Sequence, residues 1–480
     1  MLAVILTIAL GLRLFHLGER VVWFDEANSL LIAEARPSQI VDAVLDDVHT
    51  PFYYLTLRWW QCVFPGEIGP RLLSVLAGVA TVAVVYALGS TLVGRTAGLL
   101  GAALLSLCPL HIWYSQEIRM YALQTLLVSL SFLFLLLALR DGRTALWVGY
   151  SVFTALSLYA QYTSLFAIVA QGLFVGIGYR QKLRAWLLAQ CVVVILFAPC
   201  LRLLVLQTTR TIGESWLPPL EIGRILAFLS LFSGAYLGDR HARFPSVAIT
   251  IVVMVIASAI LLRRRDTRPT ATLLLLWFCV PVILLALQSI GHDRFLPRAL
   301  VYTAPALALL AGCAAIQPAG TATRATAAAT VAVLLVANLY TLQSYYFSEN
   351  AWVKSDLRSA ANDLAKEFHT GDIILHTSEF SYRPFEYYLG RDIAQGVVTP
   401  PKYLSHLFPV TGDGQLPKST TSFSRIWLVL YPDQFHTDLA EQTRDWMNQH
   451  HHFVRPLHDS ATVFIGLYDR RDPQLAPASE

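Results

Sequence analysis

The chain has 480 residues, of which 55% are hydrophobic and only 14% are charged, and its mean hydropathy is +0.52. This composition excludes an ordinary soluble protein and predicts a polytopic membrane protein. The net charge of +4 is spread along the chain without a dense basic stripe, so we expect no nucleic-acid partner. The six cysteines lie in or beside apolar segments, which indicates neither a disulfide framework nor a zinc site.

Residues 1–18 form the first apolar segment, interrupted only by Arg13 and His16. At about 1.5 Å per residue, they nearly cross a hydrocarbon core of about 30 Å. The segment lacks a basic n-region and an A-x-A-like cleavage site, which predicts a retained span rather than a signal peptide. Asp25 and Glu26 follow just beyond it. Placing two carboxylates beside lipid would cost much free energy, so these side chains should face water, a cation or hydrogen-bond donors of the protein. The alternative is a solvated loop with a helix N-cap.

The polar and aromatic stretch 19–70 is predicted to be the first outer loop and to lie along the membrane interface. Later apolar runs bring the predicted number of spans to about eleven. These runs are residues 72–93, 97–113, 122–139, 145–160, 163–178, 185–206, 244–262, 270–287, 299–316 and 325–343. Residues 225–238 are short and broken by glycine, which favours an interfacial or re-entrant helix.

The dense basic connectors 140–143, 179–184 and 263–268 all follow even-numbered spans. By the positive-inside rule they are expected in the cytoplasm. The N-terminus is then inside. The polar stretches that follow spans 1, 3, 5 and 9 should lie outside, together with the C-terminal region.

From about Ser344 the composition becomes mixed and is punctuated by glycine and proline, which predicts a separate soluble domain. A helix is expected over 355–368 and another over 433–449, with strands over 373–376, 426–431 and 461–468. The predicted fold is therefore mainly α. A polytopic helical bundle covers residues 1–343, including the first outer loop 19–70, and a small extracytoplasmic α/β domain covers 344–480. The histidines at 450–452 could bind metal, but a solvated helix end is the favoured interpretation.

The stretch His111–Tyr121 concentrates polar groups between predicted spans 3 and 4. Glu117 and Arg119 are two residues apart, so on a helix they would not share a face, and their partners should lie elsewhere in the chain. The alternative is that these residues reach toward the membrane interface, with aromatic neighbours forming a belt.

A third polar stretch, residues 292–298, lies between predicted spans 9 and 10. It carries His292, Arg294 and Arg298, and Pro297 disfavours helix at the residue before it. Guanidinium groups at a membrane boundary suit a phosphate, which they can bind bidentately, although anchoring to lipid headgroups is the alternative. One outer face would then carry acids from a first loop, an Arg and a Glu from a second, and arginines from a third, which are the groups needed for transfer from a lipid phosphate. Arginines would bind the phosphate, and a carboxylate would take the proton of an attacking hydroxyl.

Four stretches together resemble the C-type membrane glycosyltransferases, in the branch similar to protein O-mannosyltransferases and aminoarabinose transferases. They are WFDE (23–26), HTPFYY (49–54), SQEIRMY (115–121) and FLPR (295–298). The resemblance implies an inverting enzyme with Asp25 as general base and Glu26 positioning the acceptor. It also implies that Arg119 contacts the donor phosphate. Arg298 and Arg294 are assigned to the same phosphate because they lie at the membrane boundary. Further site candidates are His49, Glu117, Tyr121 and His292.

The sequence therefore predicts an integral-membrane hexosyl- or pentosyltransferase in the plasma membrane. Its donor would be a polyprenyl-phosphate sugar, and its acceptor a lipid, a surface glycan or a protein on the outer face. No cofactor is certain. A divalent metal ion stays open, because some relatives bind one and their ligands cannot be matched here. The competing class is a transporter or lipid flippase, which should instead carry polar residues and broken helices in the middle of several spans. An inactive scaffold is a third alternative.

Overall fold

The computed structural model describes residues 1–46, 48–210, 220–233, 240–290, 295–317, 320–347, 356–398, 423, 425–431, 438–460 and 462–470. The chain divides into two compact units, each built from two segments. The first unit is Met1–Gly18 with Val48–Ala351, and the second is Glu19–Asp47 with Trp352–Glu480. The predicted domain boundary between residues 343 and 344 stays a prediction.

The first unit is helical. Numbered along the whole chain, its helices are α1 (Leu2–Leu14), α4 (Pro51–Val63), α5 (Ile68–Leu92), α6 (Arg95–Ser106), α7 (Pro109–Ser115), α8 (Tyr121–Asp141), α9 (Thr144–Ala160), α10 (Leu165–Gly178), α11 (Leu183–Arg210), α12 (Ile222–Ser230), α13 (Arg240–Leu262), α14 (Arg268–Gln288), α15 (Ala304–Ala315) and α16 (Thr321–Phe347). A 3₁₀ helix, Pro297–Thr303, leads into α15.

Within the described residues, eight helices are long and apolar enough to cross a membrane, and up to nine if α6 and α7 form one span. Two shorter apolar helices cover Thr144–Ala160 and Tyr162–Gly178. The protein is therefore a multi-pass membrane protein, and the predicted fold class is confirmed. The number of about eleven spans stays a prediction. Helix α12 is too short to span, while residues 234–239 of the predicted interfacial segment lie outside the described residues.

Helices α6 and α7 are bent by 65° at Leu107 and Cys108. Pro109 is the first residue of α7, and a proline disfavours helical backbone at the residue before it. The sequence therefore turns the chain at this point, where a straight span over 97–113 was expected. The break directs α7 and the polar stretch that follows it away from the axis of α6.

Glycines allow the helices of this unit to pack closely. A Cβ atom added to Gly89 would lie 2.6 Å from the Cα atom of Gly98, and one added to Gly312 would lie 2.7 Å from the backbone nitrogen of Gly101. Such small residues let helix backbones approach in a membrane, where van der Waals packing replaces the hydrophobic effect between helices. Helices α5, α6 and α15 meet through these residues, and the buried α15 lies at the centre of the packing.

The second unit contains α2 (Phe24–Glu34), α3 (Pro37–Ala43), α17 (Leu357–Glu367), α18 (Glu379–Leu389) and α19 (Leu439–His450). Its strands are β1 (Asp372–His376), β2 (Gln395–Val397), β3 (Arg425–Leu430), β4 (His451–Asp459) and β5 (Phe464–Arg470). Within the described residues they form a five-stranded sheet in the order β2-β1-β3-β5-β4. Strand β1 pairs in parallel with β2 and β3, whereas β5 pairs antiparallel with β3 and β4.

Apolar side chains cover both faces of this sheet. Ile374 and Trp427 pack with α17 and α18 on one face, while Ile373 and Ile426 pack with α19 on the other. Successive residues of a strand point to opposite faces, so continuous apolar runs in β1 and β3 require helices on both sides. The α/β domain is thus a three-layer structure with its core on the two central strands. His450 ends α19, and the two histidines after it begin β4.

Candidate functional site

The predicted acidic pair lies in the first turn of α2, in the second unit. Trp23 precedes this helix with extended backbone, and Asp25 and Glu26 are its first-turn acids. Carboxylates are stabilised there by the positive end of the helix dipole. Glu26 is only 1% exposed and Asp25 is half-buried. The burial of Glu26 excludes a purely solvated loop.

In the first unit, the turn between α7 and α8 holds Gln116, Glu117 and Arg119, all buried. Gln116 donates its amide hydrogens to the carbonyl oxygens of Arg13, at 3.0 Å, and Phe15, at 2.9 Å, and accepts a 2.6 Å hydrogen bond from the Tyr345 hydroxyl. This one side chain therefore ties the turn to the ends of α1 and α16. Glu117 Oε1 accepts a hydrogen bond of 2.8 Å from Trp113 Nε1.

Arg119 is held by a histidine from a distant part of the sequence. Its Nη2 atom lies 2.8 Å from Nε2 of His49, and Nδ1 of His49 lies 3.3 Å from Oε1 of Gln161. Gln207, on α11, donates to the backbone carbonyl of His49 at 2.9 Å. An arginine only donates, so Nε2 of His49 accepts and its Nδ1–H donates to Gln161. The start of α4, the end of α9 and α11 together fix the position of Arg119.

Two arginines lie beside the ring of Tyr121. The guanidinium carbon of Arg119 is 5.9 Å from the ring centroid, and that of Arg298 is 6.0 Å from it. These distances permit cation–π attraction, which stabilises a guanidinium group near an aromatic face. Tyr121 also packs edge-on against Tyr114, at 5.2 Å between ring centroids. The ring therefore brings together positive charge from the α7–α8 turn and from the 3₁₀ helix before α15, an arrangement suited to a phosphate.

A second buried arginine belongs to the same unit. Arg13 is 0% exposed, and its Nη2 atom lies 2.7 Å from Nδ1 of His111. Its Nη1 atom donates to the carbonyl oxygens of Ala9, at 2.9 Å, and Ser106, at 3.4 Å. Arg13 thus links α1 to α6 and α7. The sequence placed Arg13 within the first apolar segment, but it did not predict this partner.

Of the predicted site residues, the structure groups His49, Arg119, Tyr121 and Arg298, with Glu117 on the same turn as Arg119. Asp25 and Glu26 belong to the other unit, and His292 and Arg294 lie outside the described residues. Sequence reasoning missed Gln161 and Gln207; amides at the ends of apolar helices were the available signal. Within the described ranges, no group of three or more His, Cys, Asp or Glu side chains could hold a metal ion. The roles of these residues stay predictions.

Residues 48–202 match the family model described as dolichyl-phosphate-mannose-protein mannosyltransferase. The match contains His49, Glu117 and Arg119, and it ends before Arg298. A comparison with curated proteins finds no matching sequence.

Two solved structures of ArnT from Cupriavidus metallidurans are similar to this chain, each with 13% identity and a TM-score of 0.62. The apo form is matched over 97% of both chains. The form bound to undecaprenyl phosphate is matched over 97% of this chain and 96% of that one. The archaeal oligosaccharyltransferase AglB from Archaeoglobus fulgidus, in complex with an inhibitory peptide and a dolichol-phosphate, has 12% identity and a TM-score of 0.56. It is matched over 99% of this chain and 74% of that chain.

The chain shares the fold of ArnT and AglB. At these identities the solved structures show the shared fold, and the family model adds a sequence match over the part that holds Arg119. The resemblance inferred from the four sequence stretches is confirmed, and the matches support a glycosyltransferase.

Proposed function

We propose that this protein is an integral-membrane glycosyltransferase that moves a sugar from a polyprenyl phosphate to an acceptor on the outer face of the membrane. The mannosyltransferase family match supports this class of reaction. The solved relatives support the class of donor, because ArnT was captured with undecaprenyl phosphate and AglB with a dolichol-phosphate. The acceptor is a lipid, a surface glycan or a protein.

The observation that carries the proposal is the pairing of Arg119 and Arg298 beside Tyr121. In the reaction the donor phosphate becomes a leaving group and gains negative charge as its bond to the sugar breaks. Preorganised donors aimed at that charge lower the barrier. Arg119 meets this requirement well, because His49 and Gln161 fix its position before any donor arrives. We assign Arg119 and Arg298 to the donor phosphate, and Arg294 with them from its place in the sequence.

Asp25 is the proposed general base. The side chains of adjacent residues on a helix point about 100° apart, so only one carboxylate of the acidic pair can contact the attacking hydroxyl. Asp25 is the more accessible of the two. Its carboxylate takes the proton of the acceptor hydroxyl while that oxygen bonds to the anomeric carbon. The bond from this carbon to the phosphate oxygen breaks, and the phosphate leaves with the electron pair. Attack from the opposite side inverts the anomeric configuration.

Transfer by the purified protein tests this proposal, with a polyprenyl-phosphate sugar and a panel of hydroxyl acceptors, and with or without a divalent-metal chelator. Asp25→Asn keeps the shape of the side chain but cannot take the proton. Turnover should fall by roughly 10² to 10⁴, the usual contribution of a general base, with donor binding kept. Glu26→Gln should act mainly on acceptor binding. Wild-type turnover by Asp25→Asn would show the base assignment to be wrong, and donor translocation without any transfer would favour a flippase.

A further inference from the structure

The second unit joins residues 19–47, which carry Asp25 and Glu26, to the α/β domain, although the two are far apart in sequence. Among the described residues, hydrogen bonds connect main-chain atoms of residues 20–31 to side chains of the domain. Arg358, on α17, donates to the carbonyl oxygen of Arg20 at 2.7 Å. The backbone N–H of Val22 donates to the Tyr388 hydroxyl at 2.9 Å, and Arg391 donates to the carbonyl oxygen of Leu31 at 3.1 Å.

These contacts lie on both sides of Asp25. Arg20 and Val22 precede the first residue of α2, and Leu31 lies near its end. The last four carbonyl groups of a helix have no partner within the helix, so Arg391 satisfies one of them and places a positive charge at the negative end of the dipole. Because the bonded atoms belong to the backbone, the contacts fix the path of the chain rather than any one side chain.

Apolar contacts reinforce the attachment. Val21 packs against the core between the sheet, α17 and α18. The ring of Phe24, immediately before Asp25, lies 4.7 Å from the ring of Phe380 on α18, measured between centroids. Arg391 also forms an ion pair with Glu34 at 3.5 Å, but this pair is exposed and contributes little by itself.

We propose that the α/β domain is the element that positions Asp25 for catalysis, with Tyr388 and Arg391 as its positioning residues. This inference rests on the proposed role of Asp25 as the base. The domain would hold the first turn of α2 in position through contacts before and after it, as neighbouring residues hold a catalytic side chain in its productive geometry. A displacement of about 1 Å at such a group can cost roughly 10²-fold in rate, so the loss of one support should be measurable.

The test compares Tyr388→Phe, Arg391→Ala and their double variant with two matched controls in the full-length protein. Tyr468→Phe removes a hydroxyl hydrogen bond, the 3.0 Å bond to Asn448 in the same domain. Arg455→Ala removes an ion pair whose exposure resembles that of Arg391 with Glu34: the side chains of Arg455 and Glu367 are 43% and 41% exposed, against 42% and 51%. Arg391→Ala additionally removes a 3.5 Å ion pair with Glu386 inside the domain. Neither control is bonded to the segment 19–34.

The first measurement is hydrogen–deuterium exchange of peptides covering residues 19–34. Each positioning variant should speed exchange roughly twofold to tenfold, because each loses hydrogen bonds that hold this segment, while both controls should match the wild type. The second measurement is transfer. The double variant should lose roughly fivefold or more in kcat with an unchanged Kd for the polyprenyl-phosphate sugar, and Arg391→Lys should recover part of the loss.

Unchanged exchange in the double variant would overturn the proposal, and so would a kcat equal to that of the controls. A parallel fall in donor affinity would also overturn it, because that result indicates general damage. The exchange measurement does not depend on catalysis. Its result therefore stays interpretable if Asp25→Asn proves active, an outcome that would remove the base assignment while leaving the attachment of the segment established.

Discussion

At the scale of residues, the buried polar side chains around Arg119 are linked in a chain of hydrogen bonds. In this chain Arg119 donates to Nε2 of His49, and Nδ1–H of His49 donates to Gln161. Only the neutral form of His49 can accept from Arg119. A buried polar group without a hydrogen bond costs more free energy than its hydrogen bond contributes. The chain of bonds therefore favours a single arrangement of these side chains. Arg119 is thus preorganised, as a phosphate ligand should be.

We predict that Arg119→Lys weakens donor binding without unfolding the protein. Lysine keeps the charge but cannot reproduce the planar fork of arginine, and hydrogen bonds to charged groups contribute about 1.5–3 kcal/mol. The Kd for a polyprenyl-phosphate sugar should therefore rise roughly 10- to 100-fold. Arg298→Lys should also raise this Kd. Binding is measured directly with the purified protein in detergent or lipid nanodiscs.

The matched control is Arg140→Lys, at the opposite end of α8. Arg140 is exposed and paired with Asp141 at 2.6 Å, so its replacement should leave donor affinity unchanged. Wild-type affinity in both Arg119→Lys and Arg298→Lys would remove these arginines from the donor site.

The sequence predicted part of this arrangement. The spacing of Glu117 and Arg119 predicted partners elsewhere in the chain. Arg119 does contact the distant His49, whereas Glu117 accepts a hydrogen bond from Trp113 in its own stretch. The spacing could not indicate which residue would meet Arg119, because His49 lies 70 positions away and only the packing of the helices brings it near. Local spacing identifies a polar turn, whereas its partners depend on tertiary structure.

At the scale of elements, helices and central strands were predictable where their pattern was strong. The strands at Asp372–His376 and Arg425–Leu430 appear where apolar runs predicted them. Strand β4 was missed because Phe453 and Val454 are exposed, so its sequence lacks a buried apolar face. The bend at Pro109 was also missed, although the proline that causes it was visible in the sequence.

We predict that the α/β domain loses stability in mild acid because of His376, at the end of β1. The ring is fully buried, with Nδ1 3.0 Å from the Ser381 hydroxyl and Nε2 3.1 Å from Gln395 Oε1. Burial lowers the pKa of His376 from its usual 6.5 to about 3. The unfolded chain then binds a proton below pH 6.5, whereas the folded domain binds it only near pH 3. The contribution to stability is complete above pH 6.5 and falls by about 1.4 kcal/mol for each pH unit below it.

Hydrogen exchange of β1 and β3 between pH 6.5 and 5 measures this loss, after correction for intrinsic exchange rates. His376→Gln should flatten the pH dependence, and His452→Gln, at an exposed position of β4, should keep it. An equal pH dependence in all three proteins would show that His376 does not control the acid sensitivity of the domain.

At the scale of the whole molecule, hydropathy was enough to predict a multi-pass membrane protein, and four sequence stretches were enough to suggest a resemblance to the C-type membrane glycosyltransferases. The joining of residues 19–47 to the C-terminal region was beyond the sequence, because its contacts link positions more than 300 residues apart, such as Val22 and Tyr388. No local pattern encodes such a pairing.

We predict that the N-terminus lies inside and the C-terminal domain outside. A reporter fused after Asp266, in the basic connector between α13 and α14, should report the cytoplasm, because basic loops are retained there. A reporter fused after Glu480 should report the opposite compartment. A fusion after Gly142 serves as the control and should agree with the fusion after Asp266. Agreement between the fusions at Asp266 and Glu480 would contradict this topology.

The two-segment construction of the second unit also has a consequence for biosynthesis. Residues 19–47 leave the ribosome early, but the core that receives Val21 is completed only when strands β3 and β5 have been made. Domains usually fold as they are synthesised, N-terminal parts first, and this unit cannot do so. The segment that carries Asp25 must wait through the translation of residues 48–351. A nascent chain interrupted in that interval therefore lacks the support of helix α2, and so does one interrupted directly after α16, its last membrane helix, has been made.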